Sequence, residues 1–255
     1  MKYFKKICRG LLIAAFWIGV WAFASWKLDT PLLFPSPLSV LQTLGTLLTT
    51  PQFYLVTGNS FLNILAGLVI GIAGAVTLAL LTFLIPPIKA LFSPLMAIVK
   101  ATPVASFIIL ALIFIGAAKV PSFITVLIVF PIVWTNLDEG LSGIDPQLSE
   151  LARVYQMPFL RKMRVLYLPS VKPYFLSACK SALGLAWKAG IAAEIIAMPP
   201  DTIGTMIGEA KLYIMTSEMF AWTLTVVLLS LLIEYAFGAI FRAFERKTKT
   251  AKEAT

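Results

Sequence analysis

Most of this chain is apolar, so charges inside its apolar runs are the residues with chemistry to explain. Lys188 and Glu194 lie in the run from Tyr174 to Met198, and Lys100 lies near the start of another, in the segment Val99–Ala105. A charge at the depth of a bilayer core is costly and usually faces a bundle interior or a wet path. Lys180 and Lys188 are separated by eight residues, which on a helix places them about 80° apart, on one broad face. Glu194 is about 120° further round, so it forms no simple helical ion pair with Lys188. Two readings stand. Lys188 and Glu194, with Trp187, Lys100 and Pro103 beside them, line a wet path; or Lys188 and Glu194 are buried with partners on other spans, such as Lys100. Lys180 can instead snorkel to an interface. Pro103 removes one helical hydrogen bond and can bend its span.

Several chemistries are excluded. The chain has no histidine, and its cysteines are Cys8 and Cys179. That removes a Ser-His-Asp triad and the usual zinc sites, so we assign no catalytic and no metal-binding residues. No G-x-x-x-x-G-K-[ST] loop occurs, so the chain is not expected to hydrolyse ATP, and no cofactor is expected. Glu194 and Glu234 fall on different spans, which argues against a paired-carboxylate active site. With 59% apolar and only 13% charged residues among 255, and a mean hydropathy of +0.90, this reads as an integral membrane protein. The net charge of +9 then marks a cytoplasmic face rather than a nucleic-acid surface.

The longest polar island runs from Asp145 to Pro173. Asp145 can cap a helix, with Pro146 in its first turn, and Pro158 stops it. Leu148, Leu151, Ala152 and Tyr155 fall at i, i+3, i+4 and i+7, one face of a short helix, with Glu150 and Arg153 at its rim. Arg161, Lys162, Arg164 and Lys172 follow. Such a helix between two spans either lies on the lipid surface or docks into a partner protein's groove.

The wording of this island resembles the cytoplasmic loop of permease subunits of binding-protein-dependent ABC importers: E-A-A, three residues, G, nine residues, I, one residue, L-P. Here Glu150-Leu151-Ala152, Gln156, Leu166 and Leu168-Pro169 stand at the same spacing. Leu151 replaces an alanine and Gln156 a glycine; the glycine permits a tight turn after the helix. The stretch L-F-P-S-P-x-x-V-L from Leu33, and Trp187 followed by A-A-E at Ala192 to Glu194, also look like the nitrate, sulfonate and taurine group of these permeases.

The chain in order supports six spans, at about 10–26, 61–84, 91–116, 120–137, 174–198 and 220–241, in a single domain of residues 1–255 with an inner loop at 138–173. The expected fold is all-α and polytopic, similar to the permeases of type I ABC importers. Trp17, Trp21 and Trp26 either anchor the first span at interfaces or are lipid-facing bulk. Ser36-Pro37 starts a helix on the outer connection, its apolar stripe carried by Leu38, Leu41, Leu44, Leu47 and Leu48. Gly67, Gly71 and Gly74 give the small-xxx-small spacing of close helix packing. Basic residues concentrate on one side: Lys2, Lys5, Lys6, Arg9, Lys89, Arg153, Arg161, Lys162, Arg164, Lys172, Arg242, Arg246, Lys247, Lys249 and Lys252, against Lys27, Lys119 and Lys211 on the other. By the positive-inside rule both termini and the loop are cytoplasmic.

The resemblance implies half of a translocation pathway in the cell membrane. It implies a second permease copy, two cytoplasmic ATPase subunits on the inner loops, and an extracytoplasmic binding protein that delivers substrate. The implied solute is small and anionic, of the sulfonate, taurine or nitrate kind, or a vitamin precursor. A secondary carrier or channel without an ATPase is the rival reading, with Lys188 and Glu194 as coupling groups.

Overall fold

Proline and serine begin the helices where the sequence places them. Asp145 Oδ1 accepts from Gln147 N at 2.9 Å ahead of Pro146, and Ser36 Oγ accepts from Ser39 N at 3.2 Å ahead of Pro37. The computed structural model describes the backbone of residues 2–253 and the side chains of residues 9–240. The side chains of Lys2, Lys5, Lys6, Arg242, Arg246, Lys247, Lys249 and Lys252, counted in the charge asymmetry, lie outside the described residues, as does that of Cys8.

The helices are α1 (Lys2–Leu28), α2 (Pro37–Leu48), α3 (Pro51–Leu84), α4 (Pro86–Ala101), α5 (Val104–Ile115), α6 (Val120–Ser142), α7 (Pro146–Val154), α8 (Phe159–Lys162), α9 (Leu168–Ala197), α10 (Ile203–Leu212) and α11 (Thr216–Glu253). A 3-10 turn at Ala117–Lys119 precedes α6, and a π-helical turn at Met163–Tyr167 joins α8 to α9. The described residues contain no strand, and the fold is all-α.

Among the described residues, four helices are long and apolar enough to cross a membrane alone, and α4 with α5 makes a fifth if the bent pair is one span. The protein is an integral membrane protein. At 30 residues α9 is long enough to cross, but Lys172, Lys180, Lys188 and Glu194 interrupt its apolar run, and it is not among those four.

The helices run past the expected span ends in several places, and three differences matter here. The second begins at Pro51, not residue 61, and its 34 residues extend about 51 Å, well beyond a bilayer core. The polar stretch Thr57–Ser60 masks this start in the sequence. The third is broken rather than gently bent: α4 and α5 meet at 104°. Thr102, forced out of helical ψ by Pro103, is extended at ψ 133, and its hydroxyl and its N–H both donate to Ile98 O. The fifth begins at Leu168, so Pro173 sits inside it.

The core forms where α6 packs against α9 and α3. Gly67, Gly71 and Gly74 face α6. A Cβ on Gly67 would stand 2.5 Å from Ser122 O, and one on Gly71 3.0 Å from the Val129 side chain. The glycine stripe thus lets the two backbones approach closely. Gly190 of α9 does the same toward Ile64, a contact its sequence neighbourhood does not announce. By contrast α1 exposes Leu12, Phe16, Trp17 and Trp26 and meets the rest chiefly through Trp21. Trp21 stacks on Phe220, and its indole N–H donates to Pro35 O at 3.1 Å.

Candidate functional site: an exposed helical loop and two sets of charges on α9

The loop from Asp145 to Pro169 presents an apolar face. Leu148, Leu151 and Tyr155 are 47%, 49% and 71% exposed, and Val154, Phe159 and Leu160 are exposed with them. Ala152 is 4% exposed, already covered by its own chain. It therefore seats the helix, and the free face shifts toward Val154 and Leu160. Glu150 and Arg153 pair at 3.8 Å on the surface, a contact of little energetic weight. Leu166 is half-buried in the π-helical turn, while Leu168 and Pro169 are exposed at the start of α9.

Gln156, at the position where the resembling loops have glycine, adopts the left-handed conformation, φ 47. Met157 N donates to Ala152 O at 3.0 Å and Gln156 N to Arg153 O at 2.9 Å, the two bonds of a Schellman ending. The backbone turn is kept although the side chain opposes it. A non-glycine residue there costs about 1–2 kcal/mol, partly offset by its more restricted unfolded state. Gln156→Gly is expected to raise the thermal midpoint of the purified permease by up to about 2–4 °C, and Gln156→Val to lower it. The opposite order in a thermal-shift measurement would mean that the turn is not left-handed in the folded protein.

The charges of α9 separate into two environments. Glu194 is fully buried. Its Oε2 accepts from Ser60 Oγ at 2.8 Å and from Gly204 N at 3.1 Å, and Ser60 Oγ in turn accepts from Ile203 N at 2.8 Å. Thr202, at the N-cap of α10, makes no side-chain cap bond. The first two N–H groups of α10 are capped instead from α9 and α3, and a carboxylate suits the positive end of a helix dipole. Trp187 is also in the core, 2% exposed, and its indole N–H donates to Val226 O at 3.2 Å.

Lys188 is exposed and lines a groove with Lys180 and with Glu234 of α11. Lys100 is remote from this set: its Nζ donates to Thr135 Oγ1 on α6 at 2.6 Å. Pro103 is exposed at the α4–α5 break. The five residues singled out in the sequence thus divide, with Trp187 and Glu194 in the core, Lys188 in the groove, and Lys100 and Pro103 at the broken helix. Sequence reading missed Ser60, which the N-S-F junction does not distinguish from an ordinary surface serine. It also missed that Glu234 faces the same groove as the two lysines. Lys89 and Asp138 pair at 2.8 Å, tying the start of α4 to the end of α6 beside the loop.

Among the described residues no group of three or more acidic or cysteine side chains is placed to hold a metal ion.

Residues 85–250, the loop and α9 among them, match the family described as "Binding-protein-dependent transport system inner membrane component". Full-length relatives agree. The taurine transport system permease protein TauC of Escherichia coli (strain K12) is 23% identical over 230 residues, covering 87% of this chain and 82% of that one. A "Probable ABC transporter permease protein" of Brucella melitensis biotype 1 is 26% identical over 237 residues, covering 91% and 95%. In fold, the chain is similar to a solved amino acid ABC transporter, with TM-score 0.63 at 18% identity, covering 80% of this chain and 97% of that one. An all-α membrane chain with this loop, matched over most of its length, belongs to the family of binding-protein-dependent transport system inner membrane components.

Proposed function

We propose that this chain is the membrane-spanning subunit of an ATP-driven importer in the cell membrane. Two copies pair to enclose the pathway, two ATPase subunits bind the loops at 145–173, and an extracytoplasmic binding protein delivers the solute. The observation that carries this reading is the apolar face Leu148, Leu151, Val154 and Tyr155, exposed on a short helix outside the long spans. Apolar side chains there are unfavourable in water and suit a protein groove. When ATP closes the ATPase dimer, helices docked in it move, and the break at Thr102–Pro103 and the turn after α8 are where the spans can yield. The chain's part is binding, coupling and pathway, with no catalytic residue. The solute is proposed to be a small, mostly anionic or vitamin-precursor-like compound, in keeping with the sulfonate group of the taurine named for one relative.

Orientation and coupling are tested together. Reporter fusions at Gly45, Ala118 and Gly208 should report outside, and those at Ile88, Leu160 and Thr250 inside. Deleting a genetically neighbouring ATPase should abolish uptake. Uptake that survives the deletion would instead favour a carrier or channel.

A further inference from the structure

Three observations meet on one face of α9 and α11. Lys180, Gly184 and Lys188 recur every four residues, so they form one stripe along α9. A Cβ on Gly184 would stand 3.3 Å from Glu234 Oε1, so the carboxylate lies against the bare backbone between the two lysines. Ser181, Leu183, Leu185, Phe237 and Gly238 complete the walls of a groove of about 470 Å³, within the range of small-solute sites. Among the described residues, none of the three charges makes an ion pair within 4.0 Å.

Glu234 lies well inside the apolar span Thr216–Ile240. A lipid-facing carboxylate with two nearby ammonium groups would be costly at that depth, so the face is covered by polar matter or water. Two ammonium groups against one carboxylate leave the groove one net positive charge. The lysines are about 12 Å apart along the helix, too far for one small solute to hold both at the backbone but suited to successive contacts.

We propose that this groove is a charge-selecting station for a small organic anion within the permease itself. Lys180 and Lys188 are successive anion contacts, and Glu234 is the counter-charge that keeps binding loose. Passage requires attraction strong enough for entry and weak enough for release. Without Glu234 the two ammonium groups would act on an anion with no opposing charge and hold it more firmly. The inference rests on the transport reading and adds that the membrane subunit discriminates charge on its own.

The test uses the full transporter in liposomes, with Cys8→Ser and Cys179→Ala removing the native thiols and Ser181→Cys placing one in the groove. Two methanethiosulfonate probes are compared, the anionic sulfonatoethyl and the cationic trimethylammonioethyl reagents, with labelling read by mass on the permease chain. The anionic-to-cationic rate ratio is expected to exceed that of a free thiol in solution by about tenfold. Lys188→Gln should lower the ratio several-fold, and Glu234→Gln should raise it. A ratio indifferent to both substitutions overturns the proposal. So does the absence of labelling in both the nucleotide-free and the vanadate-trapped transporter. Failure of ATPase docking would leave the nucleotide-free ratio untouched, so this proposal and the transport reading fail separately.

Discussion

Leu151→Asp is expected to leave the permease inserted and folded while its ATPase no longer copurifies and uptake is lost. Leu151 stands about half exposed on α7, so an aspartate there meets water in the isolated chain and costs little. In the docked complex the same carboxylate would be buried without a partner. Loss of the leucine contact removes about 1.5 kcal/mol or more, and an unpaired buried charge costs several more. At 1.4 kcal/mol per tenfold, affinity should fall by more than about a hundredfold. Lys211→Gln, exposed on α10, is the control and should change neither binding nor uptake. Ala152→Asp makes the contrast: because Ala152 is already covered by its own chain, that substitution should lower permease abundance as well as ATPase binding. Full ATPase binding and uptake by the Leu151→Asp protein would mean that α7 rests on the lipid surface and couples nothing.

The second large effect is expected at Glu194. Truncation to alanine leaves the hydroxyl of Ser60 and the N–H of Gly204 without their acceptor in a fully buried site. Each buried donor left without its acceptor costs about 1–3 kcal/mol. Glu194→Ala should therefore cost several kcal/mol, and uptake should fall in proportion to the loss of folded protein. Glu194→Gln retains one oxygen to accept both bonds but puts its amide nitrogen where Oε1 is buried without a partner, so it should cost less than Glu194→Ala without being neutral. Gly204→Ala tests the same contact sterically, because its Cβ would collide with Glu194 itself. It should be at least as damaging as Glu194→Ala. Normal abundance of the Glu194→Ala permease with strongly reduced uptake would instead place this carboxylate on the pathway.

Glu194 fastens the end of α9 to the start of α10, and Ser60 fastens both to α3. Asn59 adds a bond from its Nδ2 to Asp201 O at 3.1 Å. These bonds hold the end of α9 and the start of α10 together across the connection at 198–202. The opposite end of α9 leads through the π-helical turn and α8 toward α7. One long helix thus connects the buried cap, the charged groove and the exposed loop.

What the sequence determined by itself was local. Asp145-Pro146 and Ser36-Pro37 begin helices because a capping oxygen and a proline act within one turn, and both do so in the structure. The membrane character follows from composition, and the glycine stripe of α3 follows from a period of about one helical turn. The turn at Gln156 was legible only as a conflict: the resembling loops carry a glycine there, which permits a tight turn, whereas a glutamine side chain disfavours the left-handed conformation. The backbone bonds to Arg153 and Ala152 prevail. Tertiary structure decided whatever depends on residues far apart in the chain. Ser60 and Glu194 are 134 positions apart, and only the packing of α3 against α9 makes one the partner of the other. Helical angles around α9 place Lys188 and Glu194 on different sides, but they do not reveal which side meets a neighbour. Packing buries the side with Glu194 against α10 and leaves the side with Lys180 and Lys188 open beside Glu234. The same reason accounts for Ala152: its place on the amphipathic face is set by helical period, whereas its burial is set by how its own chain folds over it.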